Sequence, residues 1–199
     1  MKLARCLVIV CFCLSVFIPV AGVSASPAQE QLKTSIDKII SILKNPALKG
    51  EDQTIPRRQA LRNAIEERFS FKKMSQFSLA RHWKTITPDQ QKEFVELFGK
   101  LLEETYVNRI ESYTDEKIEY TGESVSKKKA KIFSEIHTEE VKIPVEYRMF
   151  NAGNENWMVY DMLIEGVSLI KNYRTQFDEI LQKGSFDTLM EELKKKIDS

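Results

Sequence analysis

Two periods of hydrophobic recurrence divide this chain. From about residue 28 to 112 apolar positions return every three or four residues. From 118 to 162 they return every second residue, and after 168 the helical spacing resumes. Leu32, Ile36, Ile39, Ile40 and Leu43 predict an amphipathic helix over about 28–44, ended by Asn45-Pro46. Pro56 suits the first turn of a second helix carrying Leu61, Ala64, Ile65 and Phe69. Phe71, Met74 and Phe77 continue the spacing to Trp83. Thr87-Pro88-Asp89-Gln90 marks a helix start, with Thr87 as cap, Pro88 at the first position and Gln90 three residues after the cap. The helix that follows reaches about Ser112. Its apolar surface, with Phe94, Phe98, Leu101, Leu102 and Tyr106, is wider than one helix–sheet contact requires.

The alternating stretch predicts strands. Ile118 and Tyr120 begin it, and Gly122 suggests a turn. Ala130, Ile132, Ser134 and Ile136 alternate with Lys131, Phe133, Glu135 and His137. Val141, Ile143, Val145, Tyr147 and Met149 alternate with charged or polar positions. One apolar face and one wet face predict an antiparallel sheet covered on one side. Pro144 argues for an edge position or a bulge. A hairpin loop around Gly153 leads to a last strand, Trp157 to Met162. A turn at Glu165-Gly166 then feeds a helix capped by Ser168, which Lys183-Gly184 ends. A final helix covers about Phe186 to Ile197. The expected fold is α+β: a twisted antiparallel sheet of about four strands covered by helices, with an apolar cavity between the layers.

The first residues change the picture of where this chain works. Lys2 and Arg5 precede an apolar run from Cys6 to Val20, and Val23-Ser24-Ala25 fits a small-residue cleavage site. This predicts a secretory leader over 1–25, cut after Ala25, and one exported domain over 26–199. Cys6, Cys11 and Cys13 all lie inside the leader. The remaining chain then has no thiol nucleophile and no cysteine metal site. The formal net charge of +1 gives no strong field toward nucleic acid. No later segment is apolar and long enough for stable membrane insertion.

Candidates for catalysis are few. His82 beside Trp83 reads as a helix-end or packing residue, and His137 falls on the wet side of a strand. Ser168 lacks the flanking glycines of a nucleophile elbow and reads as a cap. Asp161 and Glu165 form a carboxylate pair near the turn; holding that turn is their simpler role, acid–base work the alternative. Lys127, Lys128, Lys129 and Lys131 make a cationic hairpin tip, either solvated or in contact with an anionic headgroup or partner. The abundance of Phe, Met, Tyr and Leu on facing surfaces fits an ordinary core or a holder of an apolar ligand.

The run from Val159 to Ile170, YDMLIEGVSLI with its preceding valine, followed by Asn172-Tyr173-Arg174 and Phe177, closely resembles the MlaC or toluene-tolerance auxiliary family. Thr87-Pro88-x-Gln90 with Phe94, Phe98, Leu101, Leu102, Thr105 and Tyr106 is similar too. So are Phe71, Met74, Leu79-Ala80-Arg81-x-Trp83 and Pro144-Val145-x-Tyr147-Arg148. The resemblance implies a periplasmic phospholipid carrier that is not an enzyme and needs no metal or cofactor. It implies shuttling between an outer-membrane lipoprotein complex and an inner-membrane MCE-domain protein of an ABC transporter. The family supplies no short polar motif. The lipid-lining positions expected here follow from periodicity instead: Phe71, Met74, Phe77, Phe94, Phe98, Leu101, Leu102, Tyr106, Val145, Tyr147, Met149, Val159, Ile164 and Val167. Acyl chains are expected between the long helix and the sheet. A carrier of another lipid such as a hopanoid, a solid envelope adaptor and a periplasmic enzyme using Asp161, Glu165 and a histidine are the alternatives.

Overall fold

The computed structural model describes residues 25–113 and 115–198. Apart from Ala25, the expected leader lies outside these residues, as do the three cysteines. Helix α1 (Pro27–Lys44) starts where Ser26 Oγ accepts the Gln29 N–H. Two single 3₁₀ turns lead to α2 (Thr54–Glu66). Then come α3 (Phe71–Leu79), a 3₁₀ turn over Ala80–Lys84, and α4 (Pro88–Glu111). The start of α4 is the expected capping box: Thr87 Oγ1 accepts the Gln90 N–H, and the Gln90 side chain accepts the Thr87 N–H. The strands are β1 (Lys117–Val125), β2 (Lys129–His137), β3 (Lys142–Asn151), β4 (Trp157–Ile164) and β5 (Val167–Ser168). They pair antiparallel in chain order. Helices α5 (Leu169–Lys183) and α6 (Phe186–Ile197) follow. Among the described residues no helix is long and apolar enough to cross a membrane.

The architecture is the expected α+β, with five strands where about four were expected; the fifth is two residues long. Gly122 is no turn. It lies inside β1 at a bulge, where pairing passes from Tyr120–Ser134 to Gly122–Phe133 and leaves Thr121 unpaired. The turn comes later, closed by Ser126 N–H to Lys129 O at 2.8 Å. Pro144 sits on an inner strand. It is tolerated because it stands one residue past the last β3–β4 pair, Val145–Ile164. The helical spacing from Phe71 to Trp83 is also interrupted. Ala80 takes φ 49°, ends α3, and turns the chain so that Leu79 and Trp83 both reach the same core.

Two apolar cores result. In the first, α1 lays Ala28, Leu32 and Ile36 on one sheet face, against Ala130, Ile132, Val145, Tyr147, Met149, Trp157 and Val159. The expected alternation along β2 and β3 is therefore the covered face. In the second, α3, α4, α5 and α6 pack on one another around Phe94, Phe98 and Phe177, each at most 2% exposed. Phe69 packs against both cores. Its segment runs beside β4, with Ser70 N–H to Val159 O at 2.9 Å and Val159 N–H to Arg68 O at 2.8 Å. The helical core thus joins the sheet along the β4 margin through a backbone stitch.

Candidate functional site

The expected lining residues divide between the two cores. Met74, Phe94, Phe98, Leu101 and Leu102 are buried in the helical core, with Phe71 and Tyr106 packed against it. Val145, Tyr147, Met149 and Val159 are buried in the sheet core. Ile164 is half-buried and pairs with Val145 and Val167 at the end of β4. Val167 is 64% exposed. Phe77 is 37% exposed and lies against Tyr160, with ring centroids 5.1 Å apart.

The helical core is an aromatic cluster. Phe98 meets Tyr173 at 5.1 Å and Phe177 at 5.4 Å, both edge-to-face, and stacks on Phe94 at 5.7 Å. Such pairs gain from quadrupole geometry as well as from burial. The sheet core is less uniform. Tyr120 Oη is buried there without a hydrogen-bond partner among the described residues. Burial pushes the phenols of Tyr120 and Tyr147 above their usual values.

A polar seam that periodicity did not reveal ties α2 to α4. Helix α2 buries only Leu61 and Ala64. It meets α4 through arginines: Arg57 Nε to Glu111 at 2.8 Å, Arg58 Nη2 to Glu111 at 3.1 Å and to Asn108 at 3.2 Å, and Arg62 to Glu103. Glu111 is 14% exposed. Burial opposes its charge, but the bonds from Arg57 and Arg58 outweigh this and hold the carboxyl below its ordinary value. At the end of the seam a hollow of about 380 Å³ is lined by Leu43, Lys44, Lys49, Arg57, Glu111, Tyr113 and Asp115. A second hollow, about 310 Å³, includes Phe133, Glu135, Pro144, Glu146 and Leu163 in its lining. The signal for the seam was present as Arg58 and Arg62 one helical turn apart, facing Glu103 and Glu111 two turns apart.

The groups weighed for catalysis do not converge. Asp161 is 5% exposed and works as a structural acceptor: from Ser168 Oγ at 2.7 Å, from the Ile170 N–H at 3.1 Å and from Arg148 at 3.4 Å. Ser168 in turn accepts the Lys171 N–H at 3.0 Å, so the pair caps α5. Glu165 is exposed in the turn with φ 50°. His82 shares Asp178 with Arg81, at 2.8 and 2.7 Å. His137 lies between Glu119 and Glu135, at 3.6 and 3.4 Å. Among the described residues no hydrogen bond or ion pair joins Asp161 to Glu165 or to either histidine, and no cluster of three or more His, Cys, Asp or Glu is set to hold a metal ion.

Comparison with known proteins identifies the lineage. The family profile described as MlaC protein matches residues 33–195, most of the chain. The chain belongs to the MlaC family. Among curated MlaC-like relatives, the intermembrane phospholipid transport system binding protein MlaC of Haemophilus influenzae is 26% identical over 118 residues, 56% of this chain and 55% of that protein. The toluene tolerance protein ttg2D of Pseudomonas putida is 27% identical over 109 residues, 54% of this chain and 50% of that protein. These alignments span about half the length of the curated relatives. A solved structure, a phospholipid-binding protein from Ralstonia solanacearum in complex with a phospholipid, matches this chain's fold with a TM-score of 0.78. It is 24% identical, over 86% of this chain and 97% of that one. The likeness establishes the fold.

Proposed function

We propose that this chain, residues 26–199 after loss of a leader, is a periplasmic phospholipid carrier. It shelters acyl chains between its two apolar cores and passes lipid between an outer-membrane lipoprotein complex and an inner-membrane MCE-domain protein of an ABC transporter. It needs no catalysis and no cofactor. The observation that carries this reading is the division of the interior in an MlaC-family chain: two separately packed apolar cores share Phe69, and α2 is held to α4 by arginine–carboxylate pairs.

The energetics favour this arrangement. Each buried methylene contributes about 0.8 kcal/mol, so two acyl chains of about 15 methylenes cost on the order of 20 kcal/mol to expose. A carrier must offer comparable apolar contact and still release its cargo. A single fused core would have to be broken to admit a chain. Parting along the α2–α4 arginine–carboxylate contacts spares both cores, because the seam groups are already partly solvated. The chains then lie on Phe98, Leu101, Leu102 and Tyr106 on one side and on Val145, Tyr147 and Met149 on the other. A polar headgroup faces the charged hollow at the seam's end. Phe77 and Val167 are left out of this lining, since both are open to solvent.

The close packing of both cores favours one second reading, a solid adaptor for an envelope complex. Native mass spectrometry after incubation with phospholipid vesicles separates the two. A carrier gains the mass of one lipid; an adaptor keeps the mass of its polypeptide.

A further inference from the structure

On the sheet face turned away from α1, register aligns Lys129 with Phe150 and Met158, and Lys131 with Arg148. Helix α3 adds Phe77 and Lys73 to this face. Lys73 Nζ lies 5.8 Å from the centroids of both Phe77 and Phe150, and Tyr160 closes the aromatic group at 6.3 Å from Phe150. The neighbouring β1–β2 hairpin tip carries Lys127, Lys128 and Lys129, all exposed, beside Val125 at 45% exposure. Among the described residues none of these three ammonium groups has a carboxylate partner. In a chain of formal charge +1, this cationic cluster stands out.

We propose that this hairpin tip and the adjoining aromatic group form a docking surface for an anionic phospholipid bilayer. The chemistry selects that occupant over an acidic protein. The free cations are lysines on a projecting turn, point charges on flexible stems, not guanidinium forks set for particular carboxylates. They suit a diffuse layer of phosphates. Phe77, Phe150 and Tyr160 gather around Lys73 on the same face, and an amphipathic ring such as Tyr160 settles at headgroup depth. The surface lies opposite the α1-covered face, so a docked carrier keeps the cargo side clear. Docking goes beyond the carrier reading and stands or falls separately from it.

The test is co-sedimentation of residues 26–199 with vesicles of phosphatidylcholine alone or mixed with phosphatidylglycerol. Cargo content is read by mass spectrometry in the same samples. The protein binds the mixed vesicles, and moderate salt releases it. Each lysine near an anionic surface contributes about fivefold, so Lys127→Gln/Lys128→Gln/Lys129→Gln weakens partition about a hundredfold. Its melting temperature and cargo content stay unchanged. Phe77→Ala gives a smaller loss. Equal binding to neutral vesicles, or unchanged binding of the triple variant, overturns the proposal. So does binding to immobilised polyglutamate with none to vesicles, which would assign the patch to an acidic polypeptide.

Discussion

Glu111→Gln tests the seam most sharply. The carboxylate accepts from Arg57 at 2.8 Å and from Arg58 at 3.1 Å, with 14% of the side chain exposed. The amide keeps the shape and removes the charge. Hydrogen bonds to charged groups contribute about 1.5–3 kcal/mol each. The arginines are partly exposed, at 19% and 31%, which brings the net loss for the closed form down to about 2 kcal/mol. In a domain of this size that lowers the melting temperature by roughly 4–8 °C. If the open form lacks these bonds, its population rises about thirtyfold. The assay is stopped-flow dequenching of a labelled phospholipid moving from vesicles to the protein. Uptake and release should both quicken while stability falls. A residue that gripped cargo would show the opposite, slower uptake. A complementary variant closes the seam: Arg62→Cys/Glu103→Cys joined by a reducible bis-thiol crosslinker, since two long side chains span too far for a disulfide. Residues 25–199 contain no other cysteine. Crosslinked protein should exchange lipid at least tenfold more slowly, and reductant should restore it. A folded Glu111→Gln protein with unchanged uptake, together with a crosslinked protein that exchanges freely, refutes the seam as the route of entry.

Three further outcomes follow from named contacts. Asp161→Ala removes a buried acceptor of three bonds at the start of α5 and should cost about 3 kcal/mol in chemical denaturation, with no change in the carried lipid. Tyr120→Phe deletes a buried hydroxyl without a partner and should raise the melting temperature of cargo-free protein by about 2–4 °C; a fall would mean that the hydroxyl has a partner in solution. Glu111 has its folded value below the ordinary 4.5, so its contribution is complete above that value and fades as the pH falls through the lower one. Uptake should therefore stay level from neutrality to about pH 5 and quicken only in stronger acid, and a rise already at pH 6 would point to another group.

Much of the fold was legible because its boundaries carry local chemistry. Thr87-Pro88-x-Gln90 fixed the start of α4 and Ser168 the start of α5, each through side chains that accept free backbone N–H groups, and Lys183-Gly184 marked its end. Alternation along β2 and β3 identified the face that α1 covers. Other features depend on partners distant in sequence. Gly122 permits a bulge as well as a turn, and only pairing with β2 decides between them. The break at Ala80 has no glycine to announce it; burial of both Leu79 and Trp83 in one core imposes it. The fifth strand is two residues held by the end of β4.

Periodicity marked the apolar positions but not how they group: it cannot say which two helices they join. Phe98 and Tyr147, expected on either side of the cargo, belong to separate cores. The seam between α2 and α4 is polar, and a search for apolar stripes passes over it. Arg57, Arg58 and Arg62 look like a solvated helix face until Glu103 and Glu111 are set opposite.

The central claim is that fatty chains occupy the space between the two cores. Residues 26–199 purified free of detergent, incubated with phospholipid vesicles and sprayed under native conditions test it directly. The account predicts a discrete added mass of one phospholipid, displaced when Leu102 and Tyr147 are both enlarged to Trp in a protein that still folds. A spectrum showing the bare polypeptide alone, at every lipid concentration tried, contradicts it.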